Sequence, residues 1–142
     1  LVVKNDHFSF FKDFAHSPSK LKATTSALKH QYPNRNLVAC MELHTFSSLN
    51  LEFLKLYYLC MSNADEAYVY FNEETIKHKR LRHIEKQDVY DAFGSTNLKV
   101  FNSSIELEKE LMSKNWLNAN LLMMSSGNFD GLDFDELASK II

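Results

Sequence analysis

A chain of 142 residues, 45% hydrophobic and 24% charged, has the size and composition of one globular domain, which excludes a disordered or fibrous protein. The formal net charge of −2 gives no overall positive field, so we expect neither a nucleic acid nor a membrane as partner. No stretch reaches the roughly 18 apolar residues of a membrane span, and Cys40 and Cys60 lie in apolar runs, which favours buried thiols and a cytoplasmic location.

Short apolar runs rich in β-branched and aromatic residues predict the strands. The runs cover residues 7–11, 37–41, 67–71, 98–101 and 121–124, with 1–3 as a possible edge strand. Each main run is followed by a turn cluster and then by helical spacing. Several runs are apolar at consecutive positions, which is typical of a parallel sheet with helices on both faces.

The first two predicted helices differ in their apolar pattern. Ser17 and Pro18 provide an N-cap and a first-turn proline for a helix that stops before Pro33. The second helix is expected over residues 50–61, and its apolar positions nearly surround it. We therefore expect the second helix to be well buried.

Capping residues mark the later helices. Gly94 closes a weaker helix over 87–93, and the pairs Ser103 with Glu106 and Asp133 with Glu136 begin the last two helices. Five strand–helix units in sequence predict an α/β fold. We expect a doubly wound, mostly parallel, Rossmann-like sheet of about five or six strands with helices on both faces.

Polar residues follow the first main strand at the edge where α/β sheets bind ligands. Asp13 ends that strand, and His16 comes three residues later, before the helix that starts at Pro18. A carboxylate can accept two sugar hydroxyls, and a histidine at a helix N-terminus can reach a phosphate or a base edge. The alternative is that Asp13 and Ser17 only cap the helix while His16 packs against Pro18.

The second and last strands are also followed by polar loops. Glu42 and His44 follow the second strand, where a histidine is either a ligand contact or a structural group. The loop over 126–131 contains two glycines, which permit close backbone approach to a ligand or serve a plain turn.

A basic run over residues 77–83 is the strongest charge cluster, and it indicates either an anion contact or a solvated loop. The histidines lack ligand spacing and neither cysteine lies in a CxxC pattern, so no metal site is expected. With only three glycines, the sequence contains no phosphate-binding P-loop. If a nucleoside triphosphate binds, another domain must hold its phosphates.

Three motifs occur in order at the predicted strand ends. They are Asp-Phe-Ala-His-Ser-Pro at 13–18, Tyr-Pro-Asn-Arg at 32–35 with His-Thr-Phe-Ser at 44–47, and Met-Ser-Ser-Gly-Asn-Phe-Asp-Gly at 124–131. Together they resemble the C-terminal domain of the Mur ligases, the ATP-dependent amide-forming enzymes of peptidoglycan synthesis. The first is similar to the family element D-[YF]-[AG]-H-x-P, the second resembles the alanine-adding and tripeptide-adding members, and the third looks most like the murein-tripeptide recycling ligase.

The resemblance implies that residues 1–142 form the last part of a three-domain enzyme, which accounts for the missing P-loop and for a first residue that is Leu. In the family, a first domain binds the UDP-sugar and a central domain binds ATP and Mg²⁺. The implied partners are therefore UDP-N-acetylmuramate, an amino-acid or peptide amine, and the other two domains. Asp13 and His16 are expected to contact ATP, and no residue acts as a covalent nucleophile. The expected contacts to the amine are His44, Thr45, Ser126 and Asn128.

Two positions depart from the family pattern. Lys12 stands where an acidic or amide residue is usual, and Ser48 stands where an arginine often follows the histidine motif. The amine substrate is therefore left open between L-alanine and the L-alanyl-γ-D-glutamyl-diaminopimelate tripeptide. The alternative function is a stand-alone α/β interaction or RNA-binding module that uses the basic run 77–86.

Overall fold

The computed structural model describes residues 1–45 and 48–141, and in those ranges it contains six strands and six α-helices. The strands are β1 (Val3–Lys4), β2 (Phe8–Asp13), β3 (Asn36–Leu43), β4 (Glu66–Phe71), β5 (Leu98–Phe101) and β6 (Ala119–Met124). The helices are α1 (Pro18–Gln31), α2 (Leu51–Leu54), α3 (Glu73–His78), α4 (Lys86–Phe93), α5 (Ser104–Met112) and α6 (Phe134–Ile141).

The strands form one sheet in the order β1-β2-β6-β3-β4-β5. Only the β1–β2 pair is antiparallel among the described strands, and all other neighbours run parallel. The last strand, β6, therefore lies between β2 and β3, with Asp13 paired to Met124 and Met41 paired to Met124 on its other side. This order confirms the predicted mostly parallel sheet, and it brings the carboxyl ends of β2, β6 and β3 together.

Alternate side chains of the strands enter two separate cores, one on each face of the sheet. On β3, Leu37, Ala39 and Met41 join the core formed with α1, α2, α3 and α4. Val38 and Cys40 join the core formed with α5 and α6. The prediction of helices on both faces is confirmed. Both cysteines are buried, and burial raises the pKa of the Cys60 thiol to about 12.

Helix α1 has the predicted start and apolar face. Pro18 is its first residue, where a missing N–H has no helical partner to lose, and Leu21, Thr25 and Leu28 are buried. Ser17 occupies the N-cap position with an extended backbone, but its side chain makes no capping hydrogen bond. The geometry of the helix start is therefore set by the proline.

The prediction of a helix over 50–61 is wrong beyond the first turn. Helix α2 is followed directly by a 3₁₀ turn over Lys55–Tyr57, and Leu56 and Tyr58 are 61% and 64% exposed instead of well buried. Leu59 takes a left-handed backbone conformation (φ 57°), and its N–H donates to Phe93 O at 2.8 Å. The chain has already left the helix at Tyr58 (φ −51°, ψ 121°), and Leu59 continues the turn, so apolar residues on all sides do not produce a long buried helix here.

The predicted caps of the later helices are present. Gly94 closes α4 in the left-handed region (φ 65°), and its N–H donates to Tyr90 O at 3.0 Å. Ser103 Oγ accepts from Glu106 N at 3.4 Å at the start of α5. Asp133 Oδ1 accepts from Glu136 N at 3.0 Å at the start of α6.

Arg35, the arginine of the Tyr-Pro-Asn-Arg motif, connects the amino ends of β2, β6 and β3. Arg35 Nη1 donates to Ser9 Oγ and to Asn120 Oδ1, both at 3.0 Å, and Nη2 donates to the carbonyl of Asp6 at 2.9 Å. Its guanidinium lies 4.9 Å from the centre of the Tyr32 ring. The motif therefore has a structural role: it holds the amino ends of these strands together, on the side of the sheet opposite the polar loops.

Candidate functional site

The loops that follow β2, β6 and β3 meet at one edge of the sheet. A backbone hydrogen bond from Ser125 N to Asp13 O, 3.1 Å long, joins the end of β2 to the loop after β6. Beside this bond lies a cavity of about 420 Å³. Its lining residues are Lys12, Asp13, Phe14, Met123, Ser125, Gly127, Asn128, Phe129, Leu132 and Phe134.

Glu42, near the end of β3, organises the loop after β6. Its carboxylate is 2% exposed, and Oε1 accepts from Ser125 Oγ at 2.6 Å and from Phe129 N at 3.0 Å. Ser125 Oγ in turn accepts from Gly127 N at 2.7 Å. The buried charge is therefore matched by donors from the loop, and these bonds fix the path of the loop.

His44 lies against this network. Its Nδ1 is 3.8 Å from Glu42 Oε2, and its side chain is 41% exposed. A Cβ atom placed on Gly127 would lie 3.0 Å from Glu42 Oε1 and 3.0 Å from His44 Cδ2. Glycine at 127 therefore allows the loop backbone to approach the carboxylate and the imidazole closely.

The next part of the same loop is anchored to β4. Phe129 and Asp130 both have left-handed backbones (φ 53° and 58°), and Phe129 is fully buried against the ring of Tyr70. Asp130 Oδ2 accepts from Tyr70 Oη and from Asn72 Nδ2, the latter at 2.7 Å. Burial, and then these contacts with Asp130, raise the pKa of the Tyr70 phenol, so the phenol keeps its donor proton.

The segment after β2 is held in place by local bonds. Asp13 Oδ1 accepts from Ala15 N at 2.7 Å, and the ring of His16 hydrogen-bonds through Nδ1 to Phe14 O at 2.9 Å. Tyr57 Oη donates to His16 O at 2.7 Å. One carboxylate oxygen of Asp13 therefore shapes the turn before α1 instead of capping the helix, while the side chain stays exposed on the cavity wall.

Two other predicted contact residues also make local bonds. Thr45 Oγ1 accepts from Ser48 N at 3.1 Å and donates to Ser48 Oγ at 3.0 Å, so the hydroxyl belongs to the turn after β3. Asn128 Oδ1 accepts from Gly131 N at 3.0 Å. Ser126 is half-buried in the same loop. Phe46 and Ser47 of the His-Thr-Phe-Ser motif lie outside the described residues.

The structure therefore brings most of the predicted site residues to one edge. Asp13 and Asn128 line the same cavity, and His44 contacts Gly127 in its wall. Lys12 also lines this cavity, with Nζ 5.9 Å from the centre of the Phe134 ring. Sequence reasoning did not select Lys12 as a site residue, although it follows Phe8 and Phe10 on one face of β2 and is the first polar residue in that row.

The basic run is separate from this edge network. Lys77 and His78 end α3, where positive charge suits the helix dipole, and Arg80 and Arg82 are exposed in the segment before α4. Lys77 Nζ pairs with Glu74 at 3.4 Å. Among residues 1–45 and 48–141, no group of three or more His, Cys, Asp or Glu could hold a metal ion. No helix within the described part of the chain is long and apolar enough to cross a membrane.

Comparison with known proteins identifies relatives of one kind. The chain is 32% identical over 119 residues to a UDP-N-acetylmuramate–L-alanine ligase from Agathobacter rectalis, a match that covers 82% of this chain and 25% of the relative. A murein peptide ligase from Psychrobacter arcticus has the same fold, with a TM-score of 0.72 and 18% identity over 97% of this chain and 28% of that one. No protein-family model matches the chain.

A solved domain has nearly the same extent as this chain. It is assigned to a UDP-N-acetylmuramate:L-alanyl-γ-D-glutamyl-meso-diaminopimelate ligase from Haemophilus ducreyi, and it gives a TM-score of 0.62 at 19% identity, covering 95% of this chain and 89% of that domain. Fold and relatives together define an α/β domain of the kind found in these ligases. The chain belongs to the Mur ligase family.

The chain spans about a quarter of the length of the Agathobacter relative. Its relatives are ligases, and they do not favour the alternative of a stand-alone interaction or RNA-binding module.

Proposed function

We propose that residues 1–142 are the C-terminal domain of a cytoplasmic, ATP-dependent ligase of peptidoglycan synthesis. The domain closes over substrates that are bound by two other domains of the same polypeptide. It helps to join L-alanine, or the L-alanyl-γ-D-glutamyl-diaminopimelate tripeptide in cell-wall recycling, to UDP-N-acetylmuramate. The observation that carries this proposal is the open cavity between the loops after β2 and β6, with His44 of the loop after β3 packed against Gly127 in its wall.

The proposed reaction has two chemical steps. ATP phosphorylates the carboxylate of UDP-N-acetylmuramate, and the amine then attacks the acyl phosphate and releases phosphate. Closure of this domain supports the second step because it holds the amine and the acyl phosphate together and excludes water. ATP and Mg²⁺ are held mainly by the central domain, since this chain has no P-loop.

The residues at the edge divide into two proposed groups. Asp13 and His16 contact the ATP ribose and its surroundings. The exposed position of Asp13 on the cavity wall supports its role. The amine-facing group is His44, Thr45, Ser126 and Asn128. Because the Thr45 hydroxyl is engaged by Ser48, Thr45 contributes by shaping the turn that carries His44. Replacing His44 with Ala is expected to raise the KM for the amine.

The proposal also concerns which amine is the substrate, L-alanine or the tripeptide. The loop over 124–131 favours the tripeptide, because it resembles M-S-x-G-x-F-x-G, the ending of the murein-tripeptide recycling ligase, at every fixed position. The Agathobacter relative bears the name of an L-alanine ligase. Both amines therefore belong in the test.

The experiment is a phosphate-release assay on the full-length protein with ATP, Mg²⁺ and UDP-N-acetylmuramate, supplying L-alanine or the tripeptide in turn. We expect release that depends on one of the two amines, with the tripeptide as the better substrate. We expect the 142-residue chain alone to be folded and inactive. Phosphate release by full-length protein that requires neither amine nor UDP-N-acetylmuramate would contradict the proposal.

A further inference from the structure

The two oxygens of the Glu42 carboxylate face different groups. Oε1 holds the loop after β6 through Ser125 Oγ and Phe129 N. Oε2 faces the imidazole of His44, 3.8 Å from Nδ1. Since the loop bonds use Oε1, the buried carboxylate can orient the histidine through Oε2 without releasing the loop.

The position of the imidazole is also restricted from the other side. The Cδ2 and Cγ atoms of His44 lie 3.0 and 3.2 Å from the point where a Cβ on residue 127 would be. The ring is thus packed against backbone at Gly127, with Nδ1 towards Glu42. Its second nitrogen, Nε2, lies across the ring from Nδ1, and the side chain as a whole is 41% exposed.

We propose that Glu42 is a positioning residue for His44, and that Nε2 of His44 accepts a proton from the incoming amine. This inference rests on the proposed ligase function. A carboxylate beside Nδ1 favours the tautomer with the proton on Nδ1, which leaves the Nε2 lone pair free to act as a base. The 3.8 Å separation is longer than a direct hydrogen bond, and such contacts tighten when substrate binds.

The atoms and electrons of this step balance with the amine and the acyl phosphate as the only reactants. The nitrogen lone pair of the amine forms the C–N bond at the acyl carbon, and the N–H proton passes to Nε2 of His44. The electron pair of the C–O bond leaves with the phosphate group. His44 then returns its proton to solvent, and no covalent bond to the protein is formed.

The competing explanation is that Glu42 only anchors the loop after β6. The variant Glu42→Gln distinguishes this explanation from the proposed positioning of His44. The glutamine Oε1 can still accept from Ser125 Oγ and Phe129 N. Its amide nitrogen replaces Oε2 and donates to Nδ1 of His44, which moves the imidazole proton to Nε2 and removes the base. A loop anchor would therefore survive this substitution, whereas a positioning residue would not.

The test is amine-dependent phosphate release by the full-length enzyme. For Glu42→Gln we expect kcat to fall at least about tenfold, with the KM for the amine within about twofold of wild type and an unchanged unfolding temperature. The matched control is Glu66→Gln. Glu66 is a partly buried carboxylate that pairs with Lys114 at the amino end of β4, so this variant is expected to keep the wild-type kcat.

A folded Glu42→Gln enzyme with wild-type kcat would overturn the proposal. If Glu42→Gln does not fold, His44→Gln decides, because glutamine keeps hydrogen-bonding capacity but is not a base. A kcat loss of at least about tenfold supports the proposal, whether or not the KM for the amine also rises, and a wild-type kcat overturns it. A wild-type enzyme without amine-dependent phosphate release would instead contradict the proposed function itself.

Discussion

The hydroxyl of Ser125 connects the buried Glu42 carboxylate with the backbone of Gly127. It donates to Glu42 Oε1 at 2.6 Å and accepts from Gly127 N at 2.7 Å. Ser125→Ala removes both bonds and leaves a buried charge with one donor fewer. We expect a loss of about 1–3 kcal/mol in the free energy of unfolding, measured by urea denaturation of the 142-residue chain.

Ser126 provides the control for that substitution. It is the next residue and is only half-buried, so Ser126→Ala should change the unfolding free energy by less than about 0.5 kcal/mol. Equal stability of the Ser125→Ala and wild-type chains would show that the hydroxyl does not organise the loop.

Asp13 is the residue that tests the proposed nucleotide contact. Its side chain lies on the wall of the cavity, and one of its oxygens accepts from Ala15 N. In the full-length enzyme, Asp13→Ala is expected to raise the KM for ATP about tenfold, the effect of losing about 1.4 kcal/mol of binding, with little loss of thermal stability. An unchanged ATP dependence in steady-state kinetics would remove Asp13 from the site.

Asp6→Ala is the matched change at the other end of the sheet. Asp6 is exposed just before β2, and Arg35 binds its backbone carbonyl, which the substitution retains. The ATP dependence of this variant should equal that of wild type.

At the level of elements, the end of α4 depends on Gly94. Its φ of 65° is unfavourable for other residues, and an added Cβ would lie 2.4 Å from Cε2 of Tyr58. We expect Gly94→Ala to lower the unfolding free energy by about 1–3 kcal/mol, because backbone strain and displacement of the Tyr58 ring add together. Thermal or urea unfolding measures this difference.

Gly131→Ala separates the two causes. Gly131 also has a positive φ, 82°, but an added Cβ would meet no atom within 4 Å among the described residues. This variant should lose only the backbone contribution, about 1 kcal/mol. If both variants lose the same free energy of unfolding, the contact with Tyr58 does not contribute to the loss.

The elements also show which parts of the fold can be predicted from sequence. Pro18 fixes φ at the start of α1, and Gly94 permits the left-handed conformation that ends α4, so both helix ends are placed correctly. The prediction of one helix over 50–61 is wrong, because hydrophobicity does not reveal that the α-helix ends at Leu54 and that the backbone leaves helical geometry at Tyr58. Helix α3 was not predicted, although Asn72 caps it by accepting from Glu74 N at 2.7 Å.

The candidate site could also be predicted only in part from the sequence. Motif order placed Asp13, His44 and Asn128 at strand ends, and the parallel sheet brings those ends to one edge. The bond between Glu42 and Ser125 joins residues that are 83 positions apart. No local pattern reveals such a pair, since it depends on β6 lying beside β3.

For the whole molecule, the central claim is that the loops after β2, β3 and β6 form one side of a cleft that the rest of the polypeptide completes. The open cavity between the loops after β2 and β6, and the packing of His44 against Gly127, support this claim. In a domain that contributes half of a cleft, bound ligands should protect the backbone at that edge of the sheet and not elsewhere.

Hydrogen–deuterium exchange of the full-length protein, with and without ATP, Mg²⁺ and UDP-N-acetylmuramate, tests this claim most directly. We predict that ligands slow amide exchange in residues 13–17 and 125–131, while the segment around Arg35 at the opposite edge exchanges as before. Ligand-dependent protection confined to other parts of this chain, or absent from both loops, would contradict the account.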